Sequence, residues 1–316
     1  MNFIETILGQ LGQRGELTAL TEIHGASQKP FTAAEVAEMV ASARGTLLEH
    51  GLKPGQRVAL LAPNSTRWAA ADLAIVAQGG IVVPLYARQD PHELAVMTRD
   101  CAPSLLIAGS QELADAIKTA WPEACEVILL RDLFDGDTIT DPPVALKPED
   151  PVTIIYTSGT SGVPKGVILT CQNVDFMIPQ TASSVHAITG ARGAPDRVFH
   201  FLPFCFAGSR VMLWTQLYRG NPLMMSTDLT NLVQEMATSN PHYYLNVPAV
   251  LERIRNGVGQ KIRARGGLVA KLYAAGVAAG LRLQAGHASP LDRFVAGFAG
   301  RLIFPKIKQQ IGSNLE

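Results

Sequence analysis

Apolar runs of strand length alternate with longer amphipathic segments along most of this chain, a rhythm that limits it to an α/β fold with a mostly parallel sheet covered by helices. Strand-like runs fall at residues 57–62, 81–85, 104–108, 126–130, 152–156, 198–201, 222–226 and 243–247. Helix-like segments separate them. The first opens on a Thr32 cap with Glu35 three residues on, the pattern of a capping box, and closes near Gly51. Others run from Ser65 or Thr66 through Gln78 and over 91–100, 111–120, 208–218 and 229–239. From Pro248 onward the pattern becomes helical, over 248–256, about 260–279 and 291–311. The Asp- and Pro-rich stretch 135–150 reads as a linker. Three parts follow: 1–150 as a first α/β part, 151–247 as a second, and 248–316 as a mainly helical segment.

Composition narrows the function. The 27 basic residues balance 27 acidic ones, with 47% hydrophobic and 17% charged residues, so neither disorder nor nucleic-acid binding through net charge is expected. Cys101, Cys125, Cys171 and Cys205 lie far apart without metal-ligand spacing, which predicts reduced thiols and no metal site. The amino-terminal residues lack a secretory pattern, and the apolar window 68–87 is broken by Asp72, Gly79, Gly80 and Pro84; a cytoplasmic protein is expected.

The chemistry concentrates in Tyr156-Thr-Ser-Gly-Thr-Ser-Gly-Val-Pro-Lys-Gly166, directly after a buried strand. Gly159 and Gly162 let backbone N–H groups turn toward phosphate oxygens, Thr157, Ser158, Thr160 and Ser161 add hydroxyl donors, and Lys165 adds a charge. The spacing is not that of a Walker loop, because Lys165 follows Gly162 by three and is succeeded by Gly166 and another apolar run. A flexible Gly/Ser linker is the rival reading, and the Pro164-Lys165-Gly166 ending between two strand-like runs argues against it.

That string resembles the phosphate-binding signature of the acyl-adenylate-forming superfamily, which includes acyl- and aryl-CoA synthetases, adenylation domains and luciferases. Residues 55–64 and 79–86 resemble the early part of its large domain. The Asn246-Val-Pro248-Ala-Val-Leu251-Glu252 helix start and the long helical stretch to Gly312 are similar to the long-chain fatty acyl-CoA synthetases. The resemblance implies ATP, Mg2+ and CoA as cofactors, a fatty acid as substrate, and attack of its carboxylate on the α-phosphorus before transfer to the CoA thiol. It also implies an acyl-pocket wall built from 198–210 and 243–248, with Phe204, Phe206, Arg210 and Tyr243 as candidates.

Two departures stand out. Where the family carries a histidine and a Glu-Arg pair after Leu202-Pro203, this chain has Phe206, Ser209 and Arg210, and Cys171 stands where a histidine often follows the loop. Altered acyl specificity is expected. The family's later adenine, magnesium and ribose motifs are not in the sequence, and its catalytic lysine would lie beyond residue 316. The chain is therefore expected to be an incomplete amino-terminal adenylation domain, inactive alone, with an exposed sheet edge through which it self-associates. Two alternatives stay open: a fatty acyl-AMP ligase serving a carrier protein, and a non-catalytic phosphate-binding fragment. The basic cluster Arg253, Arg255, Lys261, Arg263, Arg265 reads as a solvated helix face, with a peripheral membrane contact as the rival; His200, beside the acyl wall, reads as a core histidine.

Overall fold

The computed structural model describes residues 1–158, 164–190, 192, 194–227, 229–302, 305 and 312–315. The first half contains α1 (Phe3–Arg14), β1 (Thr18–His24), β2 (Ser27–Thr32), α2 (Ala33–Glu49), β3 (Arg57–Leu61), α3 (Thr66–Ala77), β4 (Ile81–Leu85), α4 (Pro91–Cys101), β5 (Leu105–Ala108), α5 (Gln111–Ala120) and β6 (Glu126–Leu129). Then come β7 (Pro151–Ser158), β8 (Pro164–Thr170), α6 (Cys171–Thr189), β9 (Val198–His200), α7 (Ala207–Tyr218), β10 (Leu223–Ser226), α8 (Leu232–Ser239), β11 (Tyr243–Tyr244), α9 (Pro248–Arg265), α10 (Gly267–Gln284) and α11 (Pro290–Leu302).

Among the described residues these strands form a six-stranded sheet in the order β6-β5-β3-β4-β7-β8 and a five-stranded sheet in the order β11-β9-β10-β1-β2. Pairing is parallel except for the edge strands β8 and β2, which run antiparallel to β7 and β1. Both sheets mix early and late strands, since β1 pairs with β10 and β4 pairs with β7.

Helix α3 lies between the sheets and touches β3, β4 and β1. Every one of its residues except Arg67 is buried, as the Ala-rich sequence allows: small side chains let two sheets close on one helix. Ser65 caps it through the Trp68 N–H, and the Thr32–Glu35 capping box starts α2.

The stretch 135–150 is not a free linker. Its backbone is strapped along α2 and the end of α3: the Ser42 hydroxyl donates to the Phe134 and Gly136 carbonyls, Arg44 donates to the Asp141 and Pro142 carbonyls, and the Val144 N–H donates to the Ala77 carbonyl of α3. A Cβ on Gly45 would overlap the Asp137 carbonyl, so glycine is what permits this approach. Other expectations also shift. The expected strand 243–247 shortens to Tyr243–Tyr244, and α9 runs unbroken through Gly257 and Gly259, each tolerated in a helix interior at a cost of about 1 kcal/mol. The expected helix 291–311 is described as α11, ending at Leu302; residues 303, 304 and 306–311 lie outside the described set. The elements α1, β1, β2 and α6 carry no counterpart in the sequence reading, and β8 answers to the strand-like run that follows Gly166. Among the described residues no helix is long and apolar enough to cross a membrane.

Candidate functional site

The phosphate-loop sequence sits on a hairpin. Strand β7 continues through Thr157 to Ser158 and β8 begins at Pro164, so Thr157 and Lys165 are strand residues directly opposite one another rather than loop residues. Opposed residues share a face of the ladder, which puts the side chains of Thr157 and Lys165, both exposed residues, on one face at the open end. Gly159, Thr160, Ser161 and Gly162 lie outside the described residues. The parallel register Val82 to Thr153 brings Tyr86, just past β4, level with Thr157, so the hairpin opens at the carboxyl edge of its sheet.

A cleft of about 600 Å³ occupies that edge. The ends of β3, β4 and β5 contribute Asn64, Tyr86, Arg88 and Ser110; the second sheet contributes Phe201, Phe204 and Ser226. Crevices at the carboxyl ends of parallel strands are where open α/β sheets bind ligands. The Asn64 side-chain amide joins the two sheets here, donating to the Leu202 carbonyl at 2.9 Å and accepting from the Phe204 N–H at 2.8 Å. Phe204 is wedged between Trp68, at 5.2 Å between ring centroids, and His200, stacked at 5.2 Å and 7°. Burial pushes the His200 imidazole down to about 4, partly opposed by the Leu202 backbone, so the ring is neutral at physiological pH.

The four acyl-wall candidates divide. Phe204 lines the cleft; Phe206, the N-cap of α7 and 48% exposed, is not among the lining residues but sets its ring 5.7 Å from that of Tyr86, which is one of them. Arg210 is 1% exposed and is not among the residues lining this cleft. Its Nη2 lies 2.6 Å from Asp72 Oδ1, its Nη1 donates to the Thr153 hydroxyl, and its guanidinium covers the Trp214 ring at 4.3 Å. Burial raises the Asp72 carboxyl and lowers the Arg210 guanidinium, each opposed by the partner's charge. Tyr243 is likewise absent from the lining of this cleft. Its hydroxyl donates to Asp196 at 3.0 Å and accepts from Arg219 at 3.1 Å, tying β11 to the base of α7.

Asn64, Thr153 and Trp214 were not singled out by sequence, although one signal pointed toward their neighbourhood: Asp72 interrupts an Ala-rich apolar helix, and a buried acid needs a partner. All four cysteines are free, with Cys101, Cys171 and Cys205 buried. Burial holds the thiols high, at about 11 for Cys101 and Cys125 and about 12 for Cys171 and Cys205. Among the described residues no group of His, Cys, Asp and Glu is arranged to hold a metal ion. Arg255, Lys261 and Arg263 are exposed on α9, whereas the side chains of Arg253 and Arg265 lie outside the described set.

A family model described as AMP-binding enzyme matches residues 9–308, which spans both sheets, the hairpin and the cleft. The chain belongs to the AMP-binding enzyme family. Within it, the chain is 27% identical over 309 residues to the long-chain-fatty-acid–CoA ligase FadD15 of Mycobacterium tuberculosis, covering 90% of this chain and 50% of that protein. It is 25% identical over 298 residues to the human long-chain-fatty-acid–CoA ligase ACSBG1, covering 84% of this chain and 40% of that one. The chain thus spans about half the length, or less, of these AMP-binding relatives. The same fold occurs in the inhibitor-bound N-terminal domain of FACL13 from Mycobacterium tuberculosis, with a TM-score of 0.67, 23% identity, and coverage of 80% of this chain and 65% of that one. It also occurs in VinN with L-aspartate, with a TM-score of 0.69, 23% identity, and coverage of 83% and 65%.

Proposed function

We propose that this chain forms the ATP- and acyl-binding part of a ligase that activates a long-chain fatty acid as its adenylate and passes the acyl group to the thiol of CoA. The observation that carries the reading is the shared edge: the Thr157–Lys165 hairpin end and the apolar cleft of Phe201, Phe204 and Tyr86 open on the same side of one sheet. Membership of the AMP-binding family and likeness to fatty-acid–CoA ligases support it.

In this reading Lys165 and Thr157, with Ser158, Gly159, Thr160, Ser161 and Gly162, hold the β- and γ-phosphates of Mg2+-ATP. The paired ammonium and hydroxyl are donors that fit polyphosphate oxygens. The fatty-acid carboxylate attacks the α-phosphorus, pyrophosphate leaves, and the CoA thiol then displaces AMP from the acyl carbon. This chain's share is positioning and charge stabilisation. The cleft takes the alkyl chain, each buried methylene contributing about 0.8 kcal/mol. The four free cysteines suit a cytoplasmic setting.

The test is ATP–pyrophosphate exchange driven by palmitate in the full protein. Lys165→Ala is expected to lower it at least about tenfold, the loss of a charge-assisted phosphate contact. Unchanged exchange removes the phosphate assignment. Thioester formation on an acyl carrier protein in place of CoA identifies the carrier-dependent alternative.

A further inference from the structure

Strand β7 carries the hairpin, and α7 follows the segment Pro203 to Cys205 that walls the cleft; one buried arginine of α7 reaches β7. Arg210 sits one turn into α7, four residues past the Phe206 N-cap, and its Nη1 donates to the hydroxyl of Thr153 on β7. Thr153 in turn donates to the Val82 carbonyl at 2.8 Å, at the single register pair that joins β4 to β7 among the described residues. The remote end of the guanidinium is held by Asp72 of α3, whose second oxygen accepts from Trp214 Nε1 at 2.8 Å. Strand β8 is an outer edge and α3 is fixed between two sheets, so this chain of contacts is where the hairpin strand is anchored to the layer that bears the cleft wall.

We propose that Arg210 is a positioning residue, a strut that keeps the phosphate-binding hairpin in register with the acyl wall so that nucleotide and fatty acid are held in mutual alignment. The proposal deepens the ligase reading and rests on it for the identity of the two ligands. The strut works through geometry rather than contact with substrate. Its consequence is energetic coupling: whatever orders β7 also orders the segment preceding α7, and by linkage each ligand then improves the affinity of the other by the same factor.

Thr153→Val tests this, because it removes the hydroxyl between the strut and β7, and with it the bond to the Val82 carbonyl, while Arg210 keeps Asp72 and Trp214; the readout that separates the strut from the loss at Val82 is the one in residues 203–210. Amide exchange on the ligand-free chain is the first arm. Protection is expected to fall together in β7 and in residues 203–210, by about tenfold, while α5 is unchanged, and Thr153→Ser is expected to restore both. Loss confined to β7, or no loss, overturns the strut. The second arm measures palmitate affinity in the full protein with and without ATP. The enhancement by ATP is expected to fall at least about fivefold in Thr153→Val, with each ligand's separate affinity little changed. Wild-type enhancement retained by the variant overturns the coupling, whereas a wild-type protein that binds neither ligand overturns the ligase reading and leaves the exchange arm to decide the strut.

Discussion

Arg210 and Asp72 form an ion pair 2.6 Å apart in the layer between the two sheets, at 1% and 0% exposure. A pair so deep stabilises the fold only while both charges are present, because either one alone is left desolvated. Asp72→Asn or Arg210→Met is therefore expected to destabilise the chain by about 3–5 kcal/mol in urea unfolding. Replacing both by apolar residues of similar volume should recover most of that loss. A single variant with wild-type stability would mean that the pair contributes nothing.

Phe206 is half exposed and packs on Tyr86, which lines the cleft, so it can be changed without opening the core. Phe206→Ala is expected to raise KM for long acyl substrates about fivefold, roughly 1 kcal/mol for one aromatic contact, with kcat and thermal stability nearly unchanged. Steady-state kinetics across a chain-length series reads the effect directly. An equal change for short and long acids would separate Phe206 from chain recognition.

His200 sets a pH dependence. Its folded value of about 4 lies below the ordinary 6.5, so the unfolded state takes up the proton first and stability falls as pH drops from about 6.5 toward 4. Above that window the full contribution is present. The loss amounts to at most about 3 kcal/mol at the acid end, and His200→Leu should remove it from the urea-midpoint profile between those pH values. A variant that tracks the wild-type curve would place the dependence elsewhere.

The edge strand β8 exposes Val167 and Ile168, and the helix that follows it, α6, exposes Phe176. An apolar, unpaired edge is a template for another strand. The chain is expected to self-associate at micromolar concentrations in sedimentation velocity, and Ile168→Lys is expected to shift it toward monomer. A monomeric wild-type chain would dispose of the edge argument.

Helix α11 presents Leu291, Phe294, Phe298 and Leu302 outward along one face, while Arg293 and Arg301 are exposed elsewhere around the helix and Arg255, Lys261 and Arg263 are exposed on α9. Such a face suits the headgroup boundary of an anionic bilayer. Binding to phosphatidylglycerol-containing vesicles is expected to exceed binding to phosphatidylcholine vesicles and to be lost in Phe294→Glu. Equal binding by the variant would assign that face to another role.

The sequence by itself determined the local elements and the family. Short apolar runs, the Thr32–Glu35 box and the Ser65 cap are set by neighbours a few residues apart, and the helices and strands from α2 to β6 appear close to where those patterns put them. The hairpin string was equally legible, because its glycines, hydroxyls and lysine are contiguous. Only the tertiary structure decided what Arg210 and Tyr243 do. Both stand near the cleft in sequence, yet their partners, Asp72 and Thr153 for one and Asp196 and Arg219 for the other, come from different elements, and a charge in the core goes to the partner that compensates it. The strap 135–150 looked like a linker for the same reason. Its hydrogen bonds to Ser42, Arg44 and Ala77 are made with elements distant in the chain, where composition carries no information about pairing.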